Sequence, residues 1–198
     1  MIRSYISKVK GNFIYIYNKF FLKKKSTTDP LKLHLGCGNV YLNDYVNIDL
    51  SSDSLADVVS DFKDIYKLYP KNSVSEILMV HSISYLRLWE AKDFFNECHY
   101  LLKEGGKLLM EFPDIEKCAV KLTKSKNDYP NYIEAIRGVY AFDLDQIKKK
   151  ESFYTYPFGW SAWHIELELK KTGFNDITCS DGLLHDNKWR DTRVEAIK

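Results

Sequence analysis

Leu33-His34-Leu35-Gly36-Cys37-Gly38-Asn39, followed at once by Asn47-Ile48-Asp49-Leu50, is the stretch on which the reading of this chain turns. An apolar run that breaks into G-x-G, and a second apolar run that ends on a carboxylate, describe two strands whose tips both face a ligand. A glycine pair after a first strand lets backbone approach a bound molecule with no side chain between. An acid at the tip of the second strand supplies an acceptor for a ribose diol. A dinucleotide-binding turn would read G-x-G-x-x-G, with its acid ~20 residues further on. Here Tyr41 stands where the third glycine would be, and Asp49 follows Gly38 by only 11 residues. A nicotinamide cofactor is disfavoured on that spacing.

Working outward, Leu31–Leu35, Tyr45–Leu50, Asp57–Val59, Val74–Val80 and Lys107–Phe112 read as five strands, with Asp176–Cys179 and Val194–Ile197 as two more. Helical periodicity runs from Trp89 to Leu102, with Glu104-Gly105-Gly106 as its expected stop, and again over Gly159–Lys171, closed by Gly173. Strands alternating with helices predict an α/β fold with a mostly parallel seven-stranded sheet and helices on both faces. In such sheets ligands sit beyond the carboxyl ends of the strands. The positions to inspect are therefore Gly36 to Asn39, Asp49, Asp61-Phe62, His81-Ser82 and Pro113-Asp114.

The chain has 198 residues and a formal net charge of +2, which fits one domain and is too balanced to indicate a nucleic-acid partner. Residues 1–30 hold seven Lys/Arg against Asp29, leaving 22 basic and 26 acidic groups for the rest. Ile2, Ile6, Val9, Phe13, Ile16 and Phe20 fall on one helical face there, and Lys23 to Pro30 reads as a linker. The organisation expected is a basic amphipathic segment over 1–30 and a domain over 31–198. Residues 1–25 of such a segment can lie on an anionic membrane surface, dock on the protein's own core, or join a second subunit into a homodimer. The four cysteines, Cys37, Cys98, Cys118 and Cys179, form no C-x-x-C pair, so reduced thiols, no metal and a cytoplasmic setting are expected, with the inner membrane surface as the alternative location.

This ordered set resembles the class I S-adenosylmethionine-dependent methyltransferases. The likeness extends through Asp57-Val58-Val59-Ser60-Asp61, the turn Leu102-Lys103-Glu104-Gly105-Gly106-Lys107-Leu108, Glu111-Phe112-Pro113-Asp114, Gly159-Trp160-Ser161, Lys171-Thr172-Gly173-Phe174 and Arg193-Val194-Glu195-Ala196-Ile197-Lys198. It covers residues 31–198 and is similar to the compact members found among polysaccharide and lipopolysaccharide assembly genes. The resemblance implies a Rossmann-like sandwich, S-adenosylmethionine as cofactor, S-adenosylhomocysteine as product and a small-molecule or glycan acceptor. It implies that Gly36, Cys37, Gly38 and Asn39 lie under the methionyl part. Asp49 and Leu50 would meet the ribose, Asp61 and Phe62 the adenine, and His81 and Ser82 the reacting centre. One departure falls where the acceptor would sit: the family's H-V-L-E-H reads His81-Ser82-Ile83-Ser84-Tyr85 here, keeping only the leading histidine. Nothing like an Asn/Asp-Pro-Pro-Tyr/Phe turn follows the fourth strand, which argues against an adenine amino acceptor.

A sugar hydroxyl must lose a proton as it is methylated. An imidazole, with an ordinary pKa of ~6.5, is suited to take it. His81 is accordingly the candidate catalytic base. The 114–158 stretch exceeds a simple crossover and reads as an insertion or acceptor lid. Near its end come Phe153, Tyr154, Tyr156, Phe158, Trp160 and Trp163, rings on which a sugar can stack. Asp114, Tyr156, Trp160 and His164 are the candidate acceptor-binding residues. A non-catalytic cofactor- or partner-binding chain, and a methyltransferase acting on a small metabolite, are the competing readings.

Overall fold

The computed structural model describes residues 24–141, 155–184 and 188–198. The expectations for residues 1–23, and for Phe153 and Tyr154, lie outside the described residues. In chain order the strands are β1 (Lys32–Leu35), β2 (Val46–Asp49), β3 (Val58–Val59), β4 (Val74–Val80), β5 (Leu102–Pro113), β6 (Asn175–Asp181) and β7 (Asp191–Ile197). The helices are α1 (Leu88–Leu101), α2 (Ile115–Lys124), α3 (Tyr129–Tyr140) and α4 (Ala162–Thr172), with short 3-10 turns at Phe62–Lys67 and Ser82–Tyr85.

The seven strands form one sheet in the order β3-β2-β1-β4-β5-β7-β6. Pairings from β3 to β5 are parallel, and β7 runs antiparallel to both β5 and β6. The sheet is thus mixed.

Register explains the core. Val46, Leu33, Ile77, Leu108 and Ala196 lie side by side across five strands, and Ile48, Leu35, Met79, Met110 and Val194 form the next row. Side chains two apart share a face, so both rows point the same way. They pack on Phe94, Phe95, Cys98 and Leu101 of α1 and on Ile165 and Leu169 of α4, all fully or almost fully buried. Each such aliphatic or aromatic side chain contributes about 1.5–3 kcal/mol by leaving water.

Helices on both faces are expected from the alternation; among the described residues, α1 and α4 pack along one face of the sheet. Residues 36–45 and 50–57 join β1 to β2 and β2 to β3, and neither run leaves room for two turns and a helix. On the opposite face Asn47, His34, Leu78, Leu109 and Glu195 make a mixed polar and apolar row. The helix stop also differs from expectation. α1 ends at Leu101, Leu102 is already extended, and Gly105 and Gly106 lie inside β5, paired to Lys198 at the end of the sheet. None of the described helices is long and apolar enough to cross a membrane.

Glu97, on α1, has a buried Oε2 with no hydrogen-bond partner among the described residues. Burial, then the negative charges of Asp64 and Asp93, push its carboxyl up to about 7. A folded-state pKa above the unfolded one means the fold holds the proton more tightly. Stability is therefore lost as pH rises from the ordinary carboxylate range through 7. Glu97→Gln is expected to leave melting unchanged near pH ~4 and to raise it by about 2–4 °C near pH ~8, on the order of 1 kcal/mol after solvent screening. Thermal melts of both proteins at the two pH values check this.

Candidate functional site at the carboxyl ends of the parallel strands

β1 ends in a tight turn. Gly36 has φ of +68° and its N–H donates to Ile48 O at 2.8 Å, tying the turn to β2. A Cβ at Gly36 would stand 2.0 Å from Ser82 Oγ, so glycine is needed here for the turn to close on β4's end. Gly38 is different: a Cβ there would meet nothing within 4 Å, leaving open space above the turn. The Gly38 N–H donates to Asp49 Oδ2 at 2.8 Å, and Asp49 Oδ1 accepts from Ser51 N at 2.9 Å. Asp49 thereby braces both tips, and each carboxylate oxygen keeps a second lone pair. Asn39 is exposed and Leu50 is 68% exposed, so the surface over these tips is accessible. Cys37 is buried, and its thiol is pushed up to about 12 by burial and then by the charge of Asp49. It stays protonated and is no nucleophile.

Asp61 caps the 3-10 turn after β3, accepting from Lys63 N at 3.0 Å. Phe62 packs edge-on against Phe94, with ring centres 5.5 Å apart, and lies against the core. Ser82 is buried, and its hydroxyl lies 3.2 Å from the carbonyls of Leu35, Gly36 and Val80, knitting β4's end to the glycine turn.

His81 holds the most informative geometry. It ends β4 in a left-handed conformation, φ +61°, which costs a non-glycine residue about 1–2 kcal/mol. Its N–H donates to Glu111 O at 2.7 Å, and its ring Nε2 lies 2.9 Å from Asp191 Oδ2. Asp191 is fully buried at the start of β7. Burial alone would push its carboxyl up, but the hydrogen bonds from His81 and Arg190 outweigh that and hold it below the usual range. Arg190 grips the same carboxylate through Nε at 2.7 Å and Nη2 at 3.2 Å. An ionised carboxylate only accepts, so Nε2 of His81 carries a proton and the neutral ring has its basic lone pair on Nδ1. The 3.3 Å approach of Arg190 Nη2 to His81 Nε2 is then two donors converging on one oxygen.

Beneath this couple, Glu111 is fully buried and accepts from Arg193 Nη1 at 2.9 Å, Leu183 N at 3.0 Å and Leu184 N at 2.9 Å. Two cavities flank the contact between His81, which lines one, and Arg190, which lines the other. One, of about 550 Å³, is lined by Gly36, Cys37 and His81 and runs along the sheet face past His34, Leu78 and Leu109. The other, of about 290 Å³, is lined by Arg190 with Tyr85, Tyr156 and Trp189.

No protein-family model and no curated protein matches the chain. Solved structures do. An S-adenosylmethionine-dependent methyltransferase from Methanosarcina mazei is 16% identical, with 92% of this chain and 96% of that one covered and a TM-score of 0.62. One from Archaeoglobus fulgidus is 14% identical over 95% and 94%, with a TM-score of 0.57. The phosphoethanolamine N-methyltransferase 2 of Haemonchus contortus, solved with S-adenosyl-L-methionine, is 15% identical over 96% of this chain and 52% of that one, TM-score 0.51. The fold is that of the S-adenosylmethionine-dependent methyltransferases. At these identities the likeness establishes the fold.

Within this methyltransferase fold the candidate acceptor residues separate. Tyr156 lines the smaller cavity. Asp114 is 3% exposed and caps α2, accepting from Glu116 N, Ala162 N and Thr192 Oγ1, so its oxygens are spent on structure. Trp160 is fully buried between Phe158 and Phe95 and offers no face to a ligand. His164 stacks on Trp163 and lies 3.8 Å from Glu168 on α4, among residues that line neither cavity. Sequence reasoning missed Asp191, Arg190 and Tyr85. Tyr85 alone carried a signal, as the last residue of the altered His81–Tyr85 stretch.

Proposed function

We propose that this chain is an S-adenosylmethionine-dependent methyltransferase that methylates a hydroxyl of a saccharide or another small acceptor. The observation that carries the reading is the convergence of Gly38, Asp49 and the His81–Asp191 couple at the tips of β1, β2 and β4. The open space over Gly38 and the half-buried Asp49 carboxylate, with a lone pair left on each oxygen, suit the cofactor: Asp49 would accept from the ribose hydroxyls, and Gly38 and Asn39 would lie under the methionyl part.

Bound there, S-adenosylmethionine supplies a methyl group already activated by its positive sulfur. The chain's own residues then have to position the acceptor oxygen and relieve it of its proton. Holding an acceptor in line is worth several powers of ten in rate. His81 Nδ1 takes the hydroxyl proton, and the resulting imidazolium is stabilised by the Asp191 carboxylate on its other nitrogen. Arg190 keeps Asp191 ionised and aimed. The Tyr85 and Tyr156 rings, edge to face with centres 5.0 Å apart, wall the acceptor side.

The test is formation of S-adenosylhomocysteine from S-adenosylmethionine in the presence of pooled alcohols, sugars and nucleotide sugars. Turnover that depends on an added pool, and that falls on His81→Ala, supports the reading. A folded chain that binds cofactor yet turns over with no pool would make it a binding protein of the same fold.

A further inference from the structure

Among the described residues the smaller cavity is lined by two arginines, an indole and two phenols, all able to donate, and we propose that it holds an anionic group of the acceptor, a carboxylate or a phosphate. The inference rests on the proposed acceptor site and names the chemistry that site selects.

Arg190 is the anchor. Its Nε and Nη2 are fixed on the fully buried Asp191, which locks the guanidinium plane, while Nη1 reaches no partner among the described residues. The stem is clamped as well. A Cβ on Gly138 of α3 would stand 2.6 Å from Cys118 Sγ and 2.9 Å from Arg190 Cδ. Glycine at that position lets α3 press against the arginine and hold its head in the cavity wall. Around it stand Arg137, Tyr85, Tyr156 and Trp189. Arginine and the indole nitrogen donate and never accept. Burial pushes both tyrosine phenols up, so they remain protonated donors. The one acidic side chain among the described lining residues, Glu134, is engaged by Lys121.

A neutral sugar brings hydroxyl protons that need acceptors, and among the described lining side chains only the two phenol oxygens and the Lys121-engaged Glu134 supply them. A carboxylate or phosphate brings only acceptors, and an arginine fork matches its geometry. A cavity of about 290 Å³ fits a single small molecule or one terminal residue of a longer one. Because Arg190 also touches the His81–Asp191 couple, an anion held there places a neighbouring hydroxyl beside the base. Both a free hydroxy acid and an acidic sugar supply this chemistry.

The experiment is a titration of the full chain, saturated with S-adenosylhomocysteine at constant ionic strength, with matched probes. Glucuronate and glucose 6-phosphate are compared with glucose, and 4-hydroxybenzoate with 4-hydroxybenzyl alcohol. At least one acid is expected to bind at least about tenfold tighter than its neutral partner, and Arg190→Gln is expected to remove most of that preference. The sugar and aromatic arms tell an acidic glycan residue from a free hydroxy acid. Should Arg190→Gln fail to fold, Arg137→Gln, on the outer side of the cavity, is expected to weaken the same acid by about threefold or more. Equal affinity within every pair, including no detectable binding of any probe, overturns the proposal. So does acid binding that neither variant changes. Cofactor binding is read separately on the same sample. A chain that fails to bind S-adenosylhomocysteine but still prefers the acids would sink the methyltransferase reading alone.

Discussion

Asp191→Asn is expected to lower kcat for a hydroxyl acceptor by about 10- to 100-fold while leaving S-adenosylhomocysteine affinity within about twofold. Asparagine keeps the shape of the side chain and removes the charge. His81 Nε2–H then has only a neutral acceptor, the imidazolium loses its counter-ion, and Arg190 loses the carboxylate that holds it. Asp191 acts through His81, so it is a positioning residue, and the pair should be strongly non-additive. Adding Asp191→Asn to His81→Ala should cost little beyond His81→Ala alone, which removes the base and about 10²–10⁴ in rate. Steady-state kinetics on the two single variants and the double variant check this. Independent, additive losses would mean that Asp191 supports the fold rather than the base.

Glu111→Ala carries the largest expected effect on stability. Its carboxylate is fully buried in β5, with Arg193 from β7 and the amides of Leu183 and Leu184 as donors. Removing it strands a guanidinium that is 9% exposed together with two backbone N–H groups. Leaving a buried charge without its partner costs about 3–5 kcal/mol. Arg193 also bonds Glu195, which should pull the loss toward the lower end of that range. Glu111→Gln keeps an acceptor at the same place and should lose less. Urea denaturation of the three proteins measures both. A loss under about 1 kcal/mol for Glu111→Ala would show that the loop at 183–184 relaxes and lets water reach Arg193.

The tips of the parallel strands were legible because each is written locally. Gly36 and Gly38 follow an apolar run, Asp49 ends another, and His81 ends a third, so backbone geometry and sequence neighbours carry the signal together. Direction was harder. Residues 182–190 join β6 to β7 antiparallel, while residues 36–45, nearly the same length, join β1 to β2 in parallel. Connection length therefore could not decide it, and tertiary packing did. α2 and α3 fall in the 114–158 stretch, which reads as an insertion without its helices being placed, although Asp114, and Asp128 ahead of Pro130, cap their first turns. The partners of His81 were not legible at all. Arg190 and Asp191 lie about 110 residues away in sequence and meet it only because β7 inserts beside β5. Trp160 and Asp114 misled in the other direction. An aromatic and an acid near a strand end look like ligand contacts, yet one fills the core and the other caps two helix starts.

Calorimetric titration of S-adenosylhomocysteine into the full chain and into Asp49→Ala tests the central claim most directly. The account predicts affinity on the order of micromolar for the intact chain, falling by about 10- to 100-fold when the carboxylate is removed. No binding by the folded chain, or equal binding by both proteins, would contradict it.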